Sequence, residues 1–209
     1  MRFGLGPHRA VRPLSARFLA IFSLLVWVAA LPAQAHVESG QAAGLRAGLW
    51  HPISGLDHVL AMISVGLWGA QLGAPAVWLL PVTFPMVMAL GGFLGLIGIP
   101  LPGVEIGVAL STLMLGLMVA CEIRPSVAVA AILVGGFAIF HGHAHGTELP
   151  PGASGLAYSI GFVVATGCLH LVGITFGLVH RWRAGKVVLR LAGAAAGLAG
   201  MVFLWKASF

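Results

Sequence analysis

Charge is what this 209-residue sequence has least of. Asp, Glu, Lys and Arg together make up 8% of it, against roughly a quarter in soluble domains. With 59% hydrophobic residues, so few charges cannot cover the surface of a water-soluble fold, and a lipid bilayer becomes the expected partner. Cysteine is nearly absent as well, with two residues, which excludes a disulfide framework and thiolate-rich metal centres. Cys121 and Cys168 fall in or beside apolar runs and read as small buried hydrophobes. No Gly-x-x-x-x-Gly-Lys-Ser/Thr loop occurs, so this chain does not itself hydrolyse nucleotide. No His-Glu-x-x-His occurs either, so the ligand-and-base set of a zinc protease is missing. The expectation is a protein that is not an enzyme and needs no catalytic cofactor.

Basic residues exceed acidic ones, giving a net charge of +6, but they are grouped rather than spread. Arg2, Arg9, Arg12 and Arg17 precede the first apolar run, and Arg181, Arg183, Lys186 and Arg190 sit together near the end. That is the pattern of cytoplasmic loops in a membrane protein, not of a nucleic-acid surface.

The basic stretch 2–17, the apolar run 18–31 and Pro32-Ala33-Gln34-Ala35 have the three-part layout of a secretory signal. The run of about 14 residues is short of the roughly 20 that span a bilayer. Residues 1–35 are therefore expected to be a cleavable signal segment, and 36–209 a transmembrane domain opening on His36. Six apolar spans follow, at roughly 54–71, 76–98, 104–121, 126–142, 155–180 and 187–205, separated by Gly/Pro turns such as Gly73-Ala74-Pro75 and Pro150-Pro151-Gly152. The runs do not alternate in polarity, which excludes a barrel, and an open strand cannot satisfy its backbone in lipid. The expected fold is an all-α integral membrane protein of six transmembrane helices. Arg124, Arg181, Arg183 and Lys186 then fall on inner loops, while the outer segments hold Arg46 and Lys206. This orientation puts the mature N-terminus outside a bacterial inner membrane.

What the sequence does have is histidine on one side. With that orientation His51, Asp57 and His58 lie at the outer start of the first span, and Glu105 at the outer start of the third. His141, His143, His145 and Glu148 lie at the outer end of the fourth. Ionisable groups at membrane depth are costly, about 2.5–3.5 kcal/mol for Asp, and are functional by default. Pro52 suits a first helical position, with His51 as the cap. On a regular helix His51 and His58 share a face but stand about 10 Å apart along the axis. Either the segment between them bends back or they serve two successive sites. Asp57 is placed to coordinate or to orient an imidazole. If residues 141–148 are helical, His141, His145 and Glu148 form one stripe and His143 points away; an irregular end would turn all three imidazoles inward. Imidazole with carboxylate and almost no thiolate suits nickel, cobalt, zinc or copper. His170 lies in mid-span with Thr166 one turn before it, either further along a path or bonded to a neighbouring helix. His180 and Glu122 read as interfacial, Met62 as packing, and Gly91-Gly92-x-x-Gly95, Gly135-Gly136 and Gly193-x-x-x-Gly197 as close-packing surfaces.

Several segments resemble the HupE/UreJ family of nickel permeases. They are His51-Pro52-x-x-Gly55-x-Asp57-His58-x-x-Ala61-Met62 with Val65-Gly66-Leu67-Trp68, then Leu101-Pro102-x-Val104-Glu105, then Phe140-His141-Gly142-His143-Ala144-His145-Gly146-x-Glu148. The likeness runs from Ala35-His36 to the last helix, and the His-x5-Asp-His spacing is also similar to a signature of the broader nickel/cobalt transporters. The resemblance implies secondary transport of Ni²⁺ for hydrogenase or urease, with His51, Asp57, His58, Glu105, His141, His145 and Glu148 as motif residues. Nickel rather than cobalt or zinc comes from the resemblance. The expected metal-handling set is His36, His51, Asp57, His58, Glu105, His141, His143, His145 and Glu148. The competing readings are a membrane metal sensor or chaperone that binds without translocating, and a Co²⁺ or Zn²⁺ transporter.

Overall fold

Glycine and proline punctuate the chain where the sequence places its turns. The computed structural model describes residues 41–149 and 151–209, so the expected signal segment 1–35 and His36 lie outside the described residues. Seven α-helices occupy the described part: α1 Gln41–Ser54, α2 Leu56–Leu72, α3 Ala76–Leu96, α4 Val104–Ala120, α5 Val127–Thr147, α6 Gly155–Gly177 and α7 Arg183–Ser208. A short 3-10 turn, Leu178–Arg181, extends α6. Gly73, Gly98, Gly103 and Gly152 turn the chain between helices at φ of 71–79°, a region where a side chain is strained. Ser126 and Ser154 cap α5 and α6 by accepting from the Val129 and Ala157 amides.

Five of the six expected spans begin within two residues of an observed helix, and the differences lie elsewhere. First, α1 is an additional helix, bent by 81° against α2 across Gly55. Pro52 is consequently in the last turn of α1, not the first turn of a helix. Gly55 is extended at φ −96°, ψ 117°, which ends α1, and the Ser54 hydroxyl donates to the His51 carbonyl, occupying one of the carbonyls left over there. Second, α5 runs on to Thr147 without breaking at its glycines, so the His-x-His-x-His segment is helical throughout. Third, four helices are long and apolar enough to cross a membrane, or five if α1 and α2 make one broken span; α4 is apolar but has 17 residues. The described residues thus form an all-helical, multi-pass membrane architecture.

The polarity of its outer face is inverted relative to that of a soluble protein, over an interior that is still mostly apolar. Trp78, Met86, Ile132, Leu156 and Leu191 face outward. The buried polar side chains include His58, His141, His143, His145 and His170, half of the ten such groups among the described residues, so imidazole is the commonest buried polar group there. A soluble fold hides its apolar groups and solvates its histidines. The two cysteines follow the inversion: both are free and exposed on the outside of the bundle, contrary to the expected burial, because a small thiol needs no shelter from lipid.

Helices pair along glycine. A Cβ added at Gly142 or Gly146 of α5 would strike the carbonyls of Met88 or Gly92 on α3, and one at Gly91 or Gly95 would strike Ile139 or His143 on α5. Gly193 of α7 meets Gly116 and Ala120 of α4 in the same way, and Gly48 of α1 meets Tyr158 of α6. These contacts are the small-residue approach typical of membrane helices. They draw α5 close to α3 and hold its histidine stripe against α2. At the opposite end the interior is tied by hydrogen bonds, Trp68 Nε1 to the Ile123 carbonyl and Gln71 Nε2 to the Val119 carbonyl.

Candidate metal site

Three helix ends meet at the histidines: the last turn of α1, the first turn of α2 and the last two turns of α5. The bend at Gly55 answers the spacing question. His51 and His58 converge instead of standing two turns apart, and both rings touch His145, with centroids 4.7 and 4.4 Å away. His58 also meets His141 at 4.6 Å. The four imidazoles form a continuous chain, His51–His145–His58–His141. Its two ends differ in exposure: the His51 and Glu148 side chains are 31% and 55% exposed, His145 and His58 in the middle are 5% and 11%, and His141 at the far end is 0%. The chain therefore leads from the surface into the bundle.

Hydrogen bonds decide which nitrogens are free. Asp57 Oδ1 accepts from the His58 amide at 2.9 Å and from His58 Nδ1 at 3.0 Å. A carboxylate accepts only, so the proton is on Nδ1 and His58 Nε2 carries a lone pair. That atom is buried with no hydrogen-bond partner. On α4, the Ser111 hydroxyl donates its one proton to the Val108 carbonyl at 2.6 Å. It must then accept from His141 Nε2, 2.7 Å away, which leaves His141 Nδ1 as the bare nitrogen, also buried and unpartnered. Both nitrogens of His145 lack a hydrogen bond, with Glu148 Oε2 at 3.7 Å from Nδ1. Glu148 instead accepts from His51 Nε2 at 2.9 Å. Ligand atoms of His51, His145 and Glu148 lie within 4.8 Å of one another.

Buried polar atoms without partners cost about 1–3 kcal/mol each. Three adjacent imidazoles carry that cost, and an ion coordinating their lone pairs would relieve it. Neutral imidazole nitrogen is the ligand state that divalent nickel, cobalt, zinc or copper requires, and an orienting carboxylate behind a ligating histidine is a recurrent device. Asp57 and Glu148, both partly exposed, would offset a cation's charge at the mouth of the cluster. A cavity of about 190 Å³ between α3, α5 and α6, lined in part by His145, Tyr158 and Phe162, adjoins the chain of rings.

Of the expected residues, His51, Asp57, His58, His141, His145 and Glu148 are brought together. Two others are not. His143 is buried on another face of α5, where its Nε2 donates to the Ile99 carbonyl at 2.7 Å and braces the turn between α3 and α4. The helical register keeps it away from the cluster. Glu105 is exposed in the first turn of α4. His36 lies outside the described residues. Sequence reasoning missed Ser111 and Thr112, whose hydroxyl donates to the Asp57 carbonyl at 3.0 Å. It also missed Phe84, whose ring packs on His141 at 5.4 Å. Two adjacent hydroxyls inside an apolar span were the available signal for the first pair; nothing distinguished Phe84 from other core aromatics. His180 caps the end of α6 by bonding the Gly177 carbonyl.

Fold and cluster together define a multi-pass membrane protein with a histidine–carboxylate cluster whose ligand atoms could hold a metal ion. Comparison with known proteins agrees. Residues 24–203 match the family described as HupE / UreJ protein. The chain is 51% identical over 176 residues to Protein HupE of Rhizobium leguminosarum bv. viciae, covering 84% of this chain and 92% of that one. The chain belongs to the HupE/UreJ family, a transporter-type family linked to nickel and cobalt rather than a family of enzymes. No solved structure matches it.

Proposed function

We propose that this protein is a permease that takes up Ni²⁺ across the bacterial inner membrane to supply hydrogenase or urease maturation. The observation that carries the reading is the graded chain of imidazoles. An ion bound at the exposed end, by His51, His145 and Glu148, finds the next unpartnered nitrogens on His58 and then on the fully buried His141. A site meant only to hold metal has no need of such a gradient. The basic groups support the orientation, with Arg124, Arg181, Arg183 and Lys186 at the end of the helices away from the cluster. His36 and Glu105 are assigned to capture or guidance at the outer mouth on sequence grounds, whereas His143, held by the Ile99 carbonyl, supports the segment instead. Selectivity for nickel rests on the family, since the same ligands accept cobalt and zinc.

The test is entry of radioactive Ni²⁺ into sealed proteoliposomes, with Co²⁺ and Zn²⁺ as competitors. Time-dependent entry is expected for the wild type. It is expected to be abolished in His58→Ala and to fall about 10–100-fold in Asp57→Asn, whose amide can present a proton to Nδ1 and reverse the tautomer. Binding without entry would make the protein a sensor or metal chaperone. Wild-type entry in both variants would remove the cluster from the path.

A further inference from the structure

A second group of unpartnered polar atoms lies apart from the cluster. His170 on α6 is 1% exposed, and neither of its ring nitrogens makes a hydrogen bond. One turn earlier on the same face, Thr166 is fully buried and its hydroxyl has no partner either, although a helical threonine ordinarily bonds a carbonyl of the preceding turn. Phe84 sets its turn of α3 against His170, and the backbone polar group of that turn freed from the helix ladder is at Pro81. Proline has no N–H, so that group is the carbonyl. The helix cannot satisfy this carbonyl in the usual way, because the residue four positions on is Pro85. Two prolines one turn apart in α3 thus leave a backbone oxygen without its helical donor on the turn that packs against His170. Non-helical backbone polarity at membrane depth is tolerated where it is buried in protein or lines a path.

The group is linked to the outer cluster through one side chain. Phe84, on the same turn of α3 and fully buried, packs against His141 at 5.4 Å and against His170 at 5.5 Å. The last imidazole of the outer chain and His170 therefore share a neighbour.

We propose that His170, Thr166 and the Pro81 carbonyl form a second, inner coordination site for a divalent transition-metal ion, reached from the outer cluster past the Phe84 ring. The site offers one imidazole nitrogen and two neutral oxygens, with no carboxylate. It holds the ion less tightly than the outer cluster, as a site that must release its ion requires. The inference rests on the permease reading for its role in transport, but its existence as a binding site does not.

The experiment uses the full chain, with Ni²⁺ alone as the probe, and measures both bound ions per protein in detergent and entry into proteoliposomes. His170→Asn and the near-isosteric Thr166→Val are compared with the wild type, and thermal unfolding establishes that each is folded. The expected result is one weak equivalent fewer in each variant, an unchanged tight equivalent, and entry reduced at least about tenfold in His170→Asn. A folded Thr166→Val or His170→Asn that keeps the wild-type number of bound ions overturns the proposal. If wild-type vesicles admit no Ni²⁺ but His170→Asn still loses the weak equivalent, the permease reading fails and the inner site stands.

Discussion

The two histidine segments deliver imidazoles to the same point by opposite means. Around His51-Pro52-Ile53-Ser54-Gly55-Leu56-Asp57-His58 the backbone breaks, and the 81° bend folds two residues that a regular helix would separate onto one neighbour. In Phe140–Glu148 the backbone stays regular, and helical periodicity alone aligns His141, His145 and Glu148 while turning His143 aside. Glycine serves both segments. Gly55 permits a break, while Gly142 and Gly146 permit a close approach without one. The same residue type therefore has different consequences when it is replaced.

The largest effect is expected from Gly142→Ala. The added methyl would lie against the Met88 carbonyl and the Gly92 amide of α3, and backbone cannot move aside as a flexible side chain can. Overpacking of this kind costs about 1–3 kcal/mol even where side chains can adjust, and more is expected here. The variant should lose stability in detergent and, as α5 shifts away from α3, lose metal binding with it. Gly136→Ala on the same helix has open space around the new methyl and should stay within about 0.5 kcal/mol of the wild type. Equal melting temperatures for the two variants would show that the α3–α5 approach does not depend on glycine.

Gly55→Ala should leave the fold standing and damage the site. Its backbone, at φ −96°, accepts an alanine, but the new Cβ would lie 2.9 Å from Asp57 Oδ1 and 3.2 Å from His58 Nδ1. It falls on the hydrogen bond that fixes the His58 tautomer. Alanine also favours helix over glycine by about 1 kcal/mol, which works against the bend. Ni²⁺ affinity is expected to drop about tenfold with no loss of thermal stability. Unchanged affinity would mean that neither the Asp57–His58 bond nor the bend sets metal capture.

The same contrast explains how far the sequence could be read. The α5 stripe was legible because period alone determines it once the segment is helical. The convergence of His51 with His58 was left as two alternatives, because it depends on the torsion angles of one residue, Gly55, which composition does not specify. The extra helix α1 was missed for a related reason: Gln41–Ser54 carries Arg46, His51 and a proline, and so lacks the apolar run that marked the other spans. The signal at Ser111 was weak because a serine in an apolar helix commonly bonds its own backbone. It does so here through Val108, and its second interaction, with His141, depends on tertiary packing. His170 and Thr166 could be paired by spacing, but not with Pro81, which comes from a helix 85 positions earlier in the chain. Local periodicity and turn chemistry were readable, and contacts between distant helices were not.

The smallest effect is expected from His143→Ala, and it tests the periodic half of the comparison most directly. In the observed helix His143 donates to the Ile99 carbonyl and has no part in the ring chain. Ile99 lies in an exposed turn, so water can take over its carbonyl, and the lost bond should cost about 0.5–1.5 kcal/mol. Metal binding and uptake should stay within about twofold of the wild type, whereas His145→Ala removes a central ring of the chain. If instead His143→Ala weakens Ni²⁺ binding as much as His145→Ala does, then α5 cannot stay regular to Thr147 when loaded. Its glycine-flanked end would have to unwind to turn a third imidazole inward, and the second segment would then work by breaking, as the first one does.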